Sequence, residues 1–195
     1  MLVLLSASYT IRKHIFGTKV KLNMIINTKA GLCAANCRYC AQAIVSVAPI
    51  EKYSMMKREE IIAGAERAAK LNAGTYCIVA SGRGPADREL EIVIDSVKEI
   101  KSKHEHMTVC ACLGLLKAEQ AVRLKEAGVD RYNHNINTSE AHHESITTSH
   151  TYKDRVNTVD LVKQSGISPC SGVIIGMRET KEDVIAMARS LHAMD

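Results

Sequence analysis

Short apolar runs alternate with longer amphipathic stretches from about residue 20 to the end of this chain. The short runs are rich in β-branched residues, which favour strands, and the longer stretches repeat apolar residues at the spacing of a helix. The predicted strands are Val20–Asn27, Thr75–Ser81, Met107–Leu113, Val129–Asn137 and Ser168–Gly176. The predicted helices are Lys57–Gly74, Ala86–Lys103, Lys117–Ala127, Thr151–Gly166 and Thr180–Asp195. A long polar loop is expected over 138–150, and the whole pattern predicts an α/β fold of five successive βα units.

Five βα units with short connections form a parallel sheet covered by helices, either as an open doubly wound sheet or as part of a barrel. Residues able to do chemistry lie on or just after several different strands, and a barrel gathers all its strand ends around one mouth. We therefore predict a partial TIM-type (βα) barrel over residues 20–195, with about five of the eight units of a complete barrel. Residues 1–19 are predicted to be a residual helical segment, with Leu2–Leu5 in the tail of a packing helix.

The composition disfavours several classes of protein. The 195 residues are 46% hydrophobic and 24% charged, which is enough apolar content for a buried core. The net charge is +5, but basic residues are interspersed with acids and tryptophan is absent, so nucleic-acid binding is not expected. No apolar run approaches the ~20 residues that cross a bilayer, and no basic segment precedes the apolar start, so we expect a cytoplasmic protein without membrane contact.

Seven cysteines, an odd number in a chain without an export signal, favour reduced thiols over disulfides. Three of them, Cys33, Cys37 and Cys40, lie in one small and polar loop. A four-iron cluster needs one ligand for each iron, so three thiolates would leave one iron open for a substrate or cofactor. Structural zinc is the alternative, but zinc sites favour paired cysteines or histidines, and this loop contains no histidine.

The cysteine loop resembles the signature of radical S-adenosylmethionine (radical SAM) enzymes, with the aromatic residue Tyr39 before the third cysteine. Three further segments are similar to those of biotin synthases: YNHN at 132–135, TTSHTYKDR at 147–155 and CSGVIIG at 170–176. The likeness extends from about Ile11 to the end of the chain. It implies a radical SAM barrel that inserts sulfur into dethiobiotin to form biotin, the last step of biotin biosynthesis.

The resemblance implies two iron–sulfur clusters. The three loop cysteines would hold a [4Fe-4S] cluster that reacts with S-adenosylmethionine. A [2Fe-2S] cluster that donates sulfur would be held by three strand cysteines, Cys77, Cys110 and Cys170. Lone strand cysteines are more often buried core residues, which is the alternative for each of these three. Cys112 faces the same side of its strand as Cys110 but matches no ligand of the family, so we interpret it as a packing residue.

The resemblance also implies contacts with the two small molecules. The residues that would contact S-adenosylmethionine are Tyr39, Ala80, Asn135, Asn137, Arg155 and Ile174. Arg155 would meet the carboxylate, Asn135 and Asn137 the ribose, and the Ala80 backbone the methionyl amine. Ile174 belongs to a glycine-containing segment that would line the adenine, and Asn133 would bind dethiobiotin.

Strand alternation predicts that Asn133 and Asn135 face one side while His134 faces the other. Side-chain amides inside a barrel need partners, so a polar ligand is expected beside them. A strand end with solvated asparagines is the alternative, as is a solvated helix position for Arg155. His142 and His143 are adjacent in a polar loop and point apart, so we predict that both lie at the surface.

The implied partners are a flavodoxin- or ferredoxin-type electron donor, iron–sulfur assembly proteins and, for the full-length protein, a second copy in a homodimer. Because three barrel units are missing from the predicted fold, we expect the chain alone to be inactive or unstable. Two other functions remain open. One is a different radical enzyme of the same barrel group, and the other is a non-catalytic iron–sulfur carrier or electron-transfer module.

Overall fold

A computed structural model describes residues 2–194, and the outermost residues of the predicted first segment and last helix, Met1 and Asp195, lie outside the described residues. The strands are β1 Asn23–Lys29, β2 Thr75–Ala80, β3 Thr108–Cys112, β4 Arg131–Asn133 and β5 Ser168–Cys170. The helices are α1 Leu2–Phe16, α2 Arg58–Lys70, α3 Asp87–Lys103, α4 Ala118–Ala127, α5 Glu140–Ile146, α6 Tyr152–Gln164 and α7 Lys181–Ala193. The strands form one parallel sheet in the order β1-β2-β3-β4-β5, which confirms the predicted α/β class.

The two faces of the sheet have different surroundings. Tyr76, Ile78 and Val109 are fully buried in one apolar cluster with residues of α2, α3 and α4. Side chains alternate along a strand, so Cys77 and Cys110 point to the opposite face. Burial of the helix-facing side chains therefore fixes which residues the sheet presents to the barrel interior.

The last two strands are shorter than predicted, with three residues each instead of nine. Backbone hydrogen bonds between the two segments continue beyond the strands but irregularly, with His134 N donating to Cys170 O at 2.9 Å and Asn137 N to Gly172 O at 3.2 Å. Asn137 has a φ of +68°, which a strand does not accommodate. The longer prediction followed an apolar pattern that continues past the regular strands into segments joined only by isolated hydrogen bonds. β1 is also displaced, since it begins at Asn23 rather than Val20.

The polar segment predicted as a loop contains helix α5. Ser139 caps this helix, because its hydroxyl accepts a hydrogen bond from His142 N at 3.1 Å. His143 is 2% exposed and its Nε2 lies 3.0 Å from His150 O, so the prediction that both adjacent histidines lie at the surface is wrong for His143. A seven-residue helix is too short to show a periodic apolar pattern in the sequence.

Helix α1 is present as predicted but contains no buried residue. Its residues Leu2–Leu5 are 60–83% exposed, so the predicted packing is wrong within the described part of the chain. The division of the chain at residue 20 stays a prediction. None of the described helices is both long enough and apolar enough to span a lipid bilayer.

Candidate functional site

The cysteine loop follows β1 directly and is shaped by its own backbone. Gly31 has a φ of +68°, which turns the chain out of the strand. Cys33 N donates to Gln42 O at 3.1 Å, and Cys40 N donates to Cys37 O at 3.1 Å. Cys33 and Cys37 are buried and Cys40 is half-buried. The three thiols are therefore held together in one small apolar cluster before any metal binds.

The donor set of this loop fits an iron–sulfur cluster better than a single ion. The loop offers three thiols, from Cys33, Cys37 and Cys40, and residues 29–43 contain no histidine or carboxylate to complete a set of four. A zinc site needs four ligands that converge on one ion at about 2.0–2.3 Å. A four-iron cluster instead takes one cysteine at each of several iron atoms, so its ligands need not converge.

A cavity of about 400 Å³ lies between the cysteine loop and the carboxyl ends of the strands. This is the end of the sheet where barrel enzymes have their active sites. The predicted site residues on its wall are Cys33, Cys37, Tyr39, Cys40, Ala80, Asn133, Asn135, Asn137 and Arg155. Those that are not on its wall are Cys77, Cys110, Cys170 and Ile174. Ile174 is nevertheless connected to it, since its backbone N–H donates to Asn137 O at 2.8 Å.

Arg155 is the centre of a hydrogen-bond network on this wall. Its side chain is 9% exposed, and it donates from Nε to His150 Nε2 and from Nη1 to the Asn135 backbone oxygen, both at 2.9 Å. With the Asn137 amide oriented to satisfy its neighbours, the amide oxygen accepts from both terminal nitrogens of Arg155 at 3.1 Å. No carboxylate of the described residues forms an ion pair with Arg155. A buried guanidinium with only neutral partners is suited to an external carboxylate.

Tyr39 joins the cysteine loop to this network. Its hydroxyl donates to the Asn137 amide oxygen and accepts from Arg155 Nη2 at 3.4 Å. Burial raises the pKa of Tyr39, against an opposing effect of Arg155, so the phenol keeps its proton. The residue before the third cysteine thus connects the thiols to the cationic side of the cavity.

His134 is buried next to the cavity, whereas Asn133 and Asn135 are half-buried and their side-chain amides lie 3.4 Å apart. Burial therefore still alternates just beyond the end of β4, which agrees with the predicted arrangement of these three side chains. Burial lowers the pKa of His134 to about 3, with a further effect of Arg155. The same two causes lower the pKa of His150 to about 4. Both rings are therefore neutral at pH 7, and His150 can accept the proton of Arg155 Nε.

These neutral histidines predict that the metal-free chain loses stability in mild acid. Each takes up its proton in the unfolded chain below pH 6.5 but in the folded chain only near pH 4 or 3, so the stability present above pH 6.5 is lost as the pH falls through this window. At pH 5.5 the expected loss is about 1.4 kcal/mol for each histidine. Urea unfolding at pH 7.5 and 5.5 measures it.

A His134→Leu variant should show a smaller difference between the two pH values than the parent chain. His106→Asn, a change at an exposed histidine, serves as the matched control and should keep the parent's difference. A His134→Leu chain with an unchanged pH difference would contradict the assignment.

The strand cysteines lie at two levels of the sheet. Cys77 and Cys110 are register partners on β2 and β3, in a row that continues to Arg131 and Ser168. Cys170 lies two residues beyond Ser168 on β5, so it belongs to a row of residues nearer the carboxyl ends of the strands. The neighbouring thiol of Cys110 lowers the pKa of Cys77, and that of Cys77 raises the pKa of Cys110. Cys77 and Cys110 are therefore neighbouring thiols that face the barrel interior.

Cys112 is on the cavity wall, which corrects its interpretation as a packing residue. Burial raises its pKa to about 11, and Cys77 and Cys170 add to the effect. Cys170 itself is exposed, and Asn133 Nδ2 donates to its Sγ at 3.5 Å and to its backbone oxygen at 3.1 Å. The four strand cysteines thus share one electrostatic environment on the inner face of the sheet.

A polar contact joins the cysteine loop to residues 147–149, and no sequence motif indicates it. Asn36 Oδ1 accepts hydrogen bonds from Thr148 N at 3.0 Å, Ser149 N at 3.1 Å and Thr147 Oγ1 at 3.0 Å. Thr147 Oγ1 also accepts from Cys37 Sγ at 3.6 Å. The partners are more than 100 residues apart in the chain, so no local pattern predicts their contact.

A family model and curated proteins similar to this chain indicate the same family. The family model described as the Radical SAM superfamily matches residues 29–191. The chain is 65% identical over all 195 residues to the biotin synthase of Anoxybacillus flavithermus, 64% to that of Geobacillus kaustophilus and 62% to that of Bacillus subtilis. It spans 58–59% of the length of these curated relatives.

Solved structures show the same fold at much lower identity. A methylornithine synthase superposes with a TM-score of 0.86 at 20% identity, over 97% of this chain and 55% of that one. A maturase of the [FeFe]-hydrogenase superposes with a TM-score of 0.79 at 20% identity, over 96% of this chain and 43% of that one. At this identity the likeness concerns the fold alone, and it confirms the predicted partial barrel.

Proposed function

This chain belongs to the radical SAM superfamily, and we propose on that premise that it is the cluster- and cofactor-binding part of an enzyme that converts dethiobiotin into biotin. The identity of 62–65% to biotin synthases supports the choice of reaction. One structural observation carries the proposal. The loop of three thiols and the Arg155 network lie on the same cavity, and Tyr39 connects them.

Cys33, Cys37 and Cys40 would hold a [4Fe-4S] cluster by three of its irons. When bound, such a cluster supplies the electron that splits the sulfonium of S-adenosylmethionine, with cysteine ligation and burial allowing a low potential. The protein itself would contribute by positioning the cluster ligands. The backbone-bonded loop holds the thiols together on one side of the cavity.

Arg155 would bind the carboxylate of S-adenosylmethionine, because it is a buried cation with no ionic partner of its own among the described residues. The ribose would contact the side chains of Asn135 and Asn137, and the methionyl amine the backbone of Ala80. Ile174, connected to Asn137 through its backbone, would lie beside the adenine. Tyr39 would keep Arg155 and Asn137 in place rather than react.

Dethiobiotin would contact Asn133, which reaches both the cavity wall and Cys170. A [2Fe-2S] cluster held by Cys77, Cys110 and Cys170 would then lie next to the substrate as the source of sulfur. Cys77 and Cys110 are register partners on adjacent strands, and this supports a shared metal site on the inner face of the sheet.

The remaining partners follow from the proposed reaction. They are a flavodoxin- or ferredoxin-type electron donor, iron–sulfur assembly proteins and a second copy of the full-length protein in a homodimer. All seven cysteines are free thiols, which fits a reducing, cytoplasmic setting. The chain would be divided into a helical segment, 1–19, and a partial barrel, 20–195.

Anaerobic reconstitution with iron-57 and sulfide, followed by Mössbauer spectroscopy and equilibrium dialysis, tests the proposal. We expect signals of a four-iron and a two-iron cluster, and affinity for S-adenosylmethionine and dethiobiotin in the loaded chain only. A chain that takes up no iron, or that binds stoichiometric zinc tightly instead, would overturn the proposal. A cluster without affinity for S-adenosylmethionine would indicate an iron–sulfur carrier, and affinity for S-adenosylmethionine without dethiobiotin would indicate another radical enzyme.

A further inference from the structure

We propose that Thr147 is a positioning residue that sets the reduction potential of the cluster on the cysteine loop, by donating a hydrogen bond from its hydroxyl to the sulfur of Cys37. The inference rests on the proposed function, because it requires a cluster bound to Cys37. It gives a role to the TTSH segment at 147–150. The proposed reaction assigns no role to the two threonines of this segment.

The contact is buried and tertiary. Thr147 Oγ1 lies 3.6 Å from Cys37 Sγ, and the two residues are 3% and 7% exposed. Their separation in the chain is 110 residues, so the contact exists only because the cysteine loop lies against the segment that follows α5. Arg38 N donates to Ile146 O at 3.0 Å and fixes the same approach through the backbone.

The direction of the hydrogen bond must change when Cys37 becomes a ligand. In the free thiol the sulfur donates to the hydroxyl, but a thiolate has no proton to give. Asn36 Oδ1 has two lone pairs, and Thr148 N and Ser149 N already occupy them at 3.0 and 3.1 Å. The Thr147 hydroxyl donates to the same oxygen at 3.0 Å in the free thiol form. Because the two N–H groups already satisfy Asn36 Oδ1, the Thr147 proton can turn toward the sulfur when Cys37 is a thiolate.

The other hydroxyl beside Cys37 has a different partner. Tyr39 interacts with the Cys37 sulfur, but its proton goes to the Asn137 amide oxygen. Ser149 Oγ lies 3.1 Å from Thr147 Oγ1 and can donate to it, which leaves the Thr147 proton for Cys37. Asn36 and Ser149 thus orient the Thr147 hydroxyl as the donor to this ligand.

A donor to a cluster sulfur stabilises the reduced state more than the oxidised state, because the reduced cluster carries more negative charge. Burial increases this effect, since water does not screen the bond. Removing the Thr147 hydroxyl should therefore lower the reduction potential without removing a ligand. The variant that keeps a hydroxyl at this position should keep the potential.

The test compares midpoint potentials of the anaerobically reconstituted full chain by EPR-monitored titration. We expect Thr147→Val to retain about four irons in this cluster and, at the parent's midpoint, to contain about fivefold less reduced relative to oxidised cluster, a shift of about 40 mV. Thr147→Ser should keep the parent's potential. Thr148→Val is the matched control, because it removes a neighbouring hydroxyl that does not contact Cys37, and should also keep it.

An unchanged potential in Thr147→Val, or an equal shift in Thr148→Val or Thr147→Ser, would overturn the inference. Thr147→Ala provides a second hydroxyl-free variant. If neither Thr147→Val nor Thr147→Ala holds a cluster while Thr147→Ser does, the residue is structural and the inference is overturned. A parent chain that takes up no iron would overturn the proposed function itself. Iron analysis of the parent chain shows this outcome before any variant is measured.

Discussion

Replacement of Cys37 by alanine is expected to remove about four irons per chain from the reconstituted protein. Cys37 is the middle thiol of the loop and is buried against Cys33 and Thr147, so no neighbouring group can take its place as a ligand. With two protein ligands left for four irons, the cluster should be lost on gel filtration. Iron analysis and Mössbauer spectra of the purified variant measure the loss.

The chain contains its own control for this experiment. Cys112→Ala removes a half-buried thiol on the same cavity wall that is not proposed as a ligand, so both clusters should remain. Cys77→Ala and Cys110→Ala should instead remove about two irons and leave the four-iron signal. A four-iron signal that survives in Cys37→Ala, or disappears in Cys112→Ala, would show that the loop cysteines are not the ligand set.

The parts of the fold that depend on local pattern could be predicted well from the sequence. Helix α3 is predicted from Ala86 to Lys103 and observed from Asp87 to Lys103, because its apolar residues repeat at helical spacing over the whole length. The three loop cysteines are equally local, since they lie within eight residues of one another. Their spacing alone predicts a shared ligand set, which stays a prediction.

The parts of the site that depend on tertiary contact could not be predicted in this way. His134 is buried near His150 and Arg155, and the sequence of β4 alone does not indicate these neighbours. Asn36 and Thr147 contact each other across more than 100 residues. Cys112 lines the cavity because of how the sheet meets the cysteine loop, which no single strand indicates.

The electrostatics of the cavity favour an anionic group next to Arg155. The histidines nearest to the guanidinium are neutral, because burial and Arg155 itself lower their pKa values. The polar groups around it are amides, a phenol and a backbone oxygen, and none carries a negative charge. A carboxylate that enters the cavity therefore finds the guanidinium of Arg155 already oriented by neutral partners, which reduces the cost of ordering this side chain on binding.

Replacement of Arg155 by methionine is accordingly expected to weaken binding of S-adenosylmethionine by about 100-fold, equivalent to about 2.7 kcal/mol. Methionine keeps the apolar length of the side chain but leaves the ligand's carboxylate without its cation in a buried site. Equilibrium dialysis of the cluster-loaded chain measures the change. Arg155→Lys should recover only part of the affinity, because a single ammonium cannot reproduce the forked contacts to His150, Asn135 and Asn137.

The matched control for Arg155 is Arg123→Met, which removes an exposed arginine paired with Glu91 on the outside of the barrel. This variant should bind S-adenosylmethionine as the parent does, and so exclude a general effect of lost charge. Because Arg155 also joins α6 to the cavity wall, iron content and melting temperature must accompany each binding curve. A folded, cluster-loaded Arg155→Met chain with the parent's affinity would contradict the assignment of the carboxylate site.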